Sequence, residues 1–62
     1  MKYKRADRLI QEIDILNNRT ISVDYLSNVF NVNRQSILND LYILRDKGYN
    51  VKKLEIGYYT IK

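Results

Sequence analysis

The chain contains no cysteine and no histidine, and this absence limits most strongly how its 62 residues can hold a fold. Without cysteine there is no disulfide framework and no thiolate chemistry. Without either residue a structural zinc site is not expected, and neither a Ser-His-Asp nor a Cys-His catalytic site can be assembled. A domain of this size buries only about 60% of its unfolded surface, so its stability margin is small. We therefore predict a single domain, residues 1–62, with one small apolar core and no cofactor.

The composition is that of a folded, water-exposed chain. Its hydrophobic fraction of 45% is ordinary for a globular protein and too high for a disordered one. No apolar run approaches the roughly 20 residues that a transmembrane helix needs. The basic N-terminus is not followed by the apolar stretch of a secretory signal. We expect a cytoplasmic protein.

The formal net charge of +4 is unevenly distributed. Residues 1–8 carry a net charge of +3, residues 9–30 carry −2, and residues 31–62 carry +3. Such an excess attracts phosphate groups only weakly, so charge alone does not identify nucleic acid as the partner. Three N-terminal cations are interpreted either as a loose basic arm on phosphates or as a solvated terminus: Lys2, Lys4 and Arg5.

Apolar residues at helical spacing predict a first helix over residues 4–17. Its apolar face would consist of Ala6, Leu9, Ile10, Ile13 and Leu16. The residues expected to face elsewhere are Arg5, Arg8, Glu12 and Asp14. Ile15 lies off the apolar stripe and is expected to be exposed. Asn17 and Asn18 should end the helix, because asparagine tolerates the left-handed conformation.

Two further helices are predicted from their caps and periods. Ser22 is a suitable N-cap for a helix over residues 23–30. Its inner face would consist of Leu26, Val29 and Phe30, with Tyr25 beside them. Asn33 is a second N-cap candidate and opens a longer helix over residues 34–47. The buried stripe of that helix would consist of Ile37, Leu41 and Leu44, and Gly48 would close it.

The last residues change from a helical to an alternating pattern. Residues 49–62 predict a small β-hairpin, and Gly57 permits the positive φ of a tight turn. Tyr59 is predicted to point inward with Val51 and Ile61. A short β-prone segment, residues 19–21, precedes the second helix.

Residues 23–47 have the spacing of a helix-turn-helix. Ser27 is small where two helices would cross, Asn31 stands where the turn requires a left-handed residue, and Val32 would fill the core below the turn. With the hairpin as a wing at residues 49–62, the predicted fold class is α+β: a three-helix winged helix-turn-helix.

The segment from Arg8 to Ile61 resembles the winged helix-turn-helix domains at the N-termini of biotin-ligase repressors and of DeoR-type regulators. The residues that carry the resemblance are Val32, the run Asn33-Arg34-Gln35-Ser36-Ile37, Leu41, the run Leu44-Arg45-Asp46-Lys47-Gly48, Val51, Tyr59 and Ile61. The family pattern Gly-Tyr-x-Leu appears as Tyr58-Tyr59-Thr60-Ile61, with its glycine one place early at Gly57.

The resemblance implies sequence-specific binding to double-stranded DNA by a small transcriptional regulator, a repressor of bacterial or phage origin. A helix in the major groove reads base edges with forked donors and acceptors such as Arg, Gln and Asn. The candidate DNA-binding residues are Asn33, Arg34, Gln35, Ser36, Leu38, Asn39, Tyr42, Lys52 and Lys53. Weaker phosphate candidates are Ser22, Lys4 and Arg5. The alternative for these residues is that they are solvent-exposed and do not contact DNA. Asp40 is expected to pair with a basic residue.

Two other interpretations remain. A winged helix can also be a protein–protein module, such as a phage antirepressor or adaptor, because fold does not settle function. An enzyme is not predicted, since the carboxylates, lysines and tyrosines form no spaced catalytic set. Tight DNA binding by so small a module commonly needs pairing, so a homodimer or a partner protein is expected. Leu38, Ile43 and Ile15 are the candidate contacts for it.

Overall fold

The computed structural model of the protein describes residues 4–62, which form three helices and a three-stranded antiparallel sheet. In chain order the elements are α1 (Arg5–Leu16), β1 (Ile21–Ser22), α2 (Val23–Phe30), α3 (Arg34–Asp46), β2 (Val51–Glu55) and β3 (Tyr58–Ile61). The predicted α+β class, with a C-terminal hairpin wing, is confirmed. Lys2 of the predicted basic arm lies outside the described residues.

The central strand of the sheet is β3, which lies between β1 and β2. Ile21 of β1 pairs with Tyr59, and Val51 of β2 pairs with Ile61. The segment after α1 joins the same strand, because the Asn18 N–H donates to the Ile61 carbonyl at 2.8 Å. The hairpin (β2, β3 and the turn between them) is therefore attached to the rest of the fold. An isolated hairpin would be marginal in water.

The turn between α2 and α3 follows the local rules that the sequence predicts. Ser22 Oγ accepts a hydrogen bond from the Tyr25 N–H at 3.0 Å, and Asn33 Oδ1 accepts one from the Ser36 N–H at 2.8 Å. Both predicted N-caps are thus confirmed. Asn31 has φ 53° and ψ 48°, the left-handed conformation expected there. These three positions fix where α2 begins and ends and where α3 begins.

One apolar core joins all three helices to the hairpin. Its buried members are Leu9, Leu16, Val23, Leu26, Phe30, Ile37, Leu41, Leu44, Val51 and Ile61. Tyr59 packs against them, as predicted. The predicted inner face of α2 is partly wrong, because Tyr25 and Val29 are exposed and Val23 is buried instead. The buried residues of α2 are Val23, Leu26 and Phe30, so the buried face begins at the first residue of the helix.

Three aliphatic residues predicted to lie off the core are partly buried. Ile15, Leu38 and Ile43 all pack against the core. Helix-wheel periodicity from one stripe misses them because neighbouring elements also cover the flanks of a helix in so small a fold. Their predicted role as exposed partner contacts has no support in this arrangement.

The buried face of α1 also differs from the predicted one. Ile10 is 65% exposed, whereas Arg8 and Glu12 are buried. The buried positions on α1 are Arg8, Leu9, Glu12 and Leu16. The physical reason lies on α3, where the carboxylate of Asp40 is fully buried and needs a cation. Arg8 therefore faces α3, and Ile10 is left in solvent.

The Arg8–Asp40 pair is a two-point ion pair between α1 and α3. Arg8 Nε donates to Asp40 Oδ2, and Arg8 Nη2 donates to Asp40 Oδ1 at 3.0 Å. Arg5 Nε lies 3.7 Å from Asp40 Oδ1 on the more exposed side. The expectation that Asp40 pairs with a basic residue is confirmed. Two parallel hydrogen bonds restrain direction as well as distance, so the pair sets how α3 lies against α1.

Glu12 is the third member of this buried cluster, and its carboxyl group receives no hydrogen bond from the described residues. Within residues 4–62 neither of its carboxyl oxygens accepts a hydrogen bond, and Arg8 Nε is 3.8 Å from Oε2. Burial, followed by the interaction with the neighbouring Asp40 carboxylate, raises the pKa of Glu12 to about 9, which the charge of Arg8 only partly opposes. We therefore expect Glu12 to be protonated at pH 7.

Removing Asp40 should be far more destabilising than breaking an exposed ion pair. Asp40→Ala leaves the Arg8 guanidinium buried without its partner, which should lower the free energy of unfolding by about 3–5 kcal/mol. The matched control is Asp24→Ala, which breaks an exposed pair with Arg34 and should cost about 0–1 kcal/mol. Urea denaturation measures both. Equal losses would contradict the structural role of the buried pair.

The Glu12→Gln variant should change how stability depends on pH. Between about pH 4.5 and 9 the unfolded chain loses the Glu12 proton while the folded chain keeps it. Stability should therefore fall as pH rises through this window, by at most about 1.4 kcal/mol per pH unit from this group. Glutamine stays neutral, so the variant should lose this decline and gain most over wild type near pH 9.

The pH experiment compares urea midpoints at pH 5, 7 and 9. Glu55→Gln removes an exposed carboxyl on β2 and is the control; it should keep the wild-type profile. A Glu12→Gln profile that declines as steeply as that of wild type would show that Glu12 is ionised in the folded protein.

Candidate nucleic-acid interface

The surface of α3 that points away from the core is polar and accessible. Ile37, Leu41 and Leu44 fill the core, so the opposite side of the helix remains in solvent. We call this side the outward face; it consists of Arg34, Gln35, Asn39 and Tyr42, all outside the core. Four of the predicted DNA-binding residues are thus brought together on one rigid element.

At the start of the outward face, Arg34 is held by an acidic residue of α2. Arg34 Nε lies 3.0 Å from Asp24 Oδ1, and the two side chains are 63% and 69% exposed. An exposed pair of this kind contributes little to stability. It does restrain the guanidinium beside the turn, and it places a negative charge next to a residue predicted to bind DNA. Asp24 was not among the residues that the sequence pattern predicted for the site.

Gln35 and Asn39 are joined one helical turn apart. Gln35 Nε2 donates to Asn39 Oδ1 at 3.0 Å. The bond leaves the Gln35 carbonyl oxygen as an acceptor and the Asn39 amide as a donor. An adenine edge in the major groove offers one donor and one acceptor, so the joined pair has the complementary groups.

The predicted DNA contacts at the helix N-termini also cap those helices. The oxygens of Ser22 and Asn33 cap α2 and α3, while the Asn33 amide nitrogen remains available as a donor. Ser36 lies in the first turn of α3, where its N–H donates to the Asn33 cap. Helix N-termini present free N–H groups, so these positions suit phosphate oxygens rather than bases.

The hairpin lies beside the outward face across a shallow groove. A groove of about 190 Å³ is lined by Leu38, Leu41, Tyr42 and Arg45 of α3 and by Lys53 and Tyr59 of the hairpin. Lys53 and Tyr42 therefore share one surface. Successive strand residues face opposite sides, so Lys52 lies on the other face of β2 and is not brought to this groove.

Arg45 connects the two halves of this surface. Its Nη2 donates to the Val51 carbonyl at 3.2 Å, so the end of α3 is tied to the start of β2. In the sequence Arg45 is recognisable only as part of the Leu44-Arg45-Asp46 run. Its position in the last turn of α3, shortly before the hairpin, is the signal that it could bridge the two elements.

Two N-terminal cations lie away from the outward face. Lys4 precedes α1 and is exposed, and Arg5 is the first residue of that helix. Arg5 is 59% exposed but lies next to Asp40, on the inner side of α3. The prediction that Arg5 belongs to a loose arm is wrong, because it is helical and paired.

Leu38 occupies the boundary between core and surface. The prediction placed it among residues not claimed by the core, yet it packs against the core while lining the groove. Its contribution to binding is therefore limited to those side-chain atoms that face the groove.

Comparisons with known proteins agree with this geometry. Within residues 4–62, no helix has both the length and the apolar character that crossing a bilayer requires. Searches of the curated proteins and of the solved structures find no match. The family model described as "HTH domain" matches residues 8–59, a span that includes most of α1, the helix-turn-helix and most of the hairpin. Domains of this family bind DNA and act in regulation. Because the match covers more than half of the sequence, the chain belongs to the HTH domain family.

Proposed function

We propose that the protein binds double-stranded DNA sequence-specifically and acts as a small transcriptional regulator, a repressor in a bacterium or phage. The proposal treats residues 1–62 as one winged helix-turn-helix unit similar to those of biotin-ligase repressors and DeoR-type regulators. The observation that carries it is the shared surface of the outward face and the hairpin, which meet at the groove beside Tyr42 and Lys53.

In the proposed complex α3 enters the major groove. Arg34 can hold a guanine edge with two hydrogen bonds, and the joined pair Gln35–Asn39 can hold an adenine edge. Tyr42 and Lys53 flank these groups and suit phosphate oxygens. Leu38 adds an apolar contact to DNA from the protein groove between α3 and the hairpin.

Phosphates on either side would position the helix. The candidates are Asn33, Ser36 and Ser22 at the helix starts, and Lys52, Lys4 and Arg5 at greater distance from the outward face. Contacts of this kind set register and orientation without reading sequence. As a regulator that binds duplex DNA, the protein would act in the cytoplasm, either by occluding a promoter or by recruitment to one.

Pairing would strengthen so small an interface. A single module of this kind buries about 600–1,000 Å² on DNA, and two-fold pairing on neighbouring half-sites is the common way to tighter binding. We propose a homodimer or a partner protein on the DNA, with contacts other than Ile15, Leu38 and Ile43, which pack against the core.

Substitutions on the outward face and on the hairpin should have different effects. Arg34→Ala or Asn39→Ala should cost about 1–3 kcal/mol on the preferred duplex and less on a scrambled one, since planar groups on a packed helix read bases. Lys52→Ala with Lys53→Ala should weaken all duplexes alike and lower the salt slope by roughly 0.9 per lost phosphate contact.

The measurement selects bound duplexes from a random pool and titrates each variant against selected and scrambled DNA at two salt concentrations. If the Arg34 and Asn39 changes leave both affinities unchanged, α3 does not face the major groove of the DNA. The protein-module interpretation would then be the better one. The absence of a salt-dependent affinity for duplex DNA would support it.

Removing the carboxylate beside Arg34 should raise affinity and reduce selectivity. Asp24→Asn frees Arg34 and removes a charge that repels phosphates, so scrambled duplex should gain more than the preferred one. Asp14→Asn makes the same charge change on the exposed side of α1 and is the control. An equal gain from both variants would attribute the effect to net charge alone.

A further inference from the structure

The turn of the hairpin presents an apolar side chain to solvent. Ile56 is 88% exposed, more than any other large hydrophobic residue within residues 4–62. Leu54, two residues earlier, is 50% exposed. Scattered aliphatic residues on a surface need no explanation, but Ile56 in the turn and Leu54 just before it form a small exposed apolar patch at one end of the hairpin.

This tip is held in place by the fold. The Val23 N–H donates to the Gly57 carbonyl at 2.8 Å, which joins the turn to the start of α2. Gly57 has φ 82°, a left-handed value that suits glycine, and a register shift between Lys53 and Glu55 bends β2 just before the turn. Ile56 is therefore presented at a defined position relative to the helix-turn-helix.

The charge of the hairpin favours a polyanionic partner. Residues 51–61 carry two lysines and one glutamate, a net charge of +1. Lys53 and Lys52 precede the tip on the same strand, and Lys53 lines the groove beside α3. An apolar point next to cations is the arrangement with which some proteins enter the minor groove and unstack neighbouring base pairs.

The size of the tip disfavours a second copy of the chain as its partner. A stable protein interface buries about 800 Å² on each side. The solvent-accessible surface of the chain is 4450 Å². An interface of this size would need roughly a fifth of that surface, which is far more than the turn of one hairpin supplies.

We propose that Ile56 is a wedge that enters the minor groove next to the site read by α3 and unstacks one base step there. Leu54 follows it along the groove wall, and Lys52 and Lys53 hold the flanking phosphates. The proposal rests on the proposed duplex binding and adds a source of selectivity. Pyrimidine–purine steps unstack most easily, so the preferred site contains such a step where the hairpin meets it.

The test measures affinity and bending together. The selected duplex carries a donor and an acceptor dye at its ends, and energy transfer reports the bend on binding. The variants are Ile56→Ser, which removes the wedge, and Ile56→Leu, which keeps an aliphatic side chain. Ile10→Ser is the matched control, because Ile10 is an exposed isoleucine on α1, outside the hairpin. None of these positions is buried, so all variants should fold.

Wild type should bend the selected duplex by at least about 20°, within the range of wedge-induced kinks. Ile56→Ser should lose the bend and bind about tenfold more weakly, equivalent to about 1.4 kcal/mol. Ile56→Leu and Ile10→Ser should behave like wild type.

Three results would overturn the proposal. If wild type binds no duplex, the proposed function fails and the wedge fails with it. If wild type binds but leaves the duplex straight, or if Ile56→Ser bends it equally, the wedge alone fails. If Ile56→Ser instead changes the sedimentation of the free protein, the tip is a contact with a second copy.

Discussion

The buried ion pair between Arg8 and Asp40 joins the first helix to the inner side of the third, and the orientation of α3 depends on it. A 62-residue chain without disulfides or zinc ligands has few ways to fix one helix against another. Apolar side chains tolerate sliding and rotation, whereas a two-point ion pair in a buried setting tolerates little of either. Asp40 stands one residue after Asn39, so anchoring its carboxylate inward also turns the outward face to solvent.

The pair divides the charged residues of the protein into two sets. Arg8, Glu12 and Asp40 are buried, and a neutral Glu12 leaves that cluster with one cation and one anion. The positive excess of the described chain therefore lies at its surface. Because burial raises its pKa, Glu12 opposes a polyanion at neutral pH less than Asp7 and Asp14, the two exposed carboxylates of α1.

The features that sequence reasoning predicts correctly are those that depend on few neighbours. The caps at Ser22 and Asn33 and the left-handed Asn31 follow from residue type and local spacing. The face of α1 does not, because it is decided by Asp40, 32 residues away from Arg8 along the chain. Likewise the contact of Arg34 with Asp24, and the meeting of Lys53 with Tyr42, depend on how separate elements cross. Residue type was enough to select the candidate site residues, but only tertiary packing divided them into groups.

The connection between α3 and the hairpin determines how the proposed site would work as one unit. Arg45 ties the end of α3 to Val51, and the Gly57 carbonyl ties the turn of the hairpin to the first residue of α2. The hairpin is thus held at its base and at its tip, and neither end can move without breaking a hydrogen bond. In the proposed mode of binding, a helix that reads bases and a tip that unstacks them are fixed at one separation. The spacing between the read bases and the deformable step would then be a property of the fold, which even so small a domain can use for selectivity.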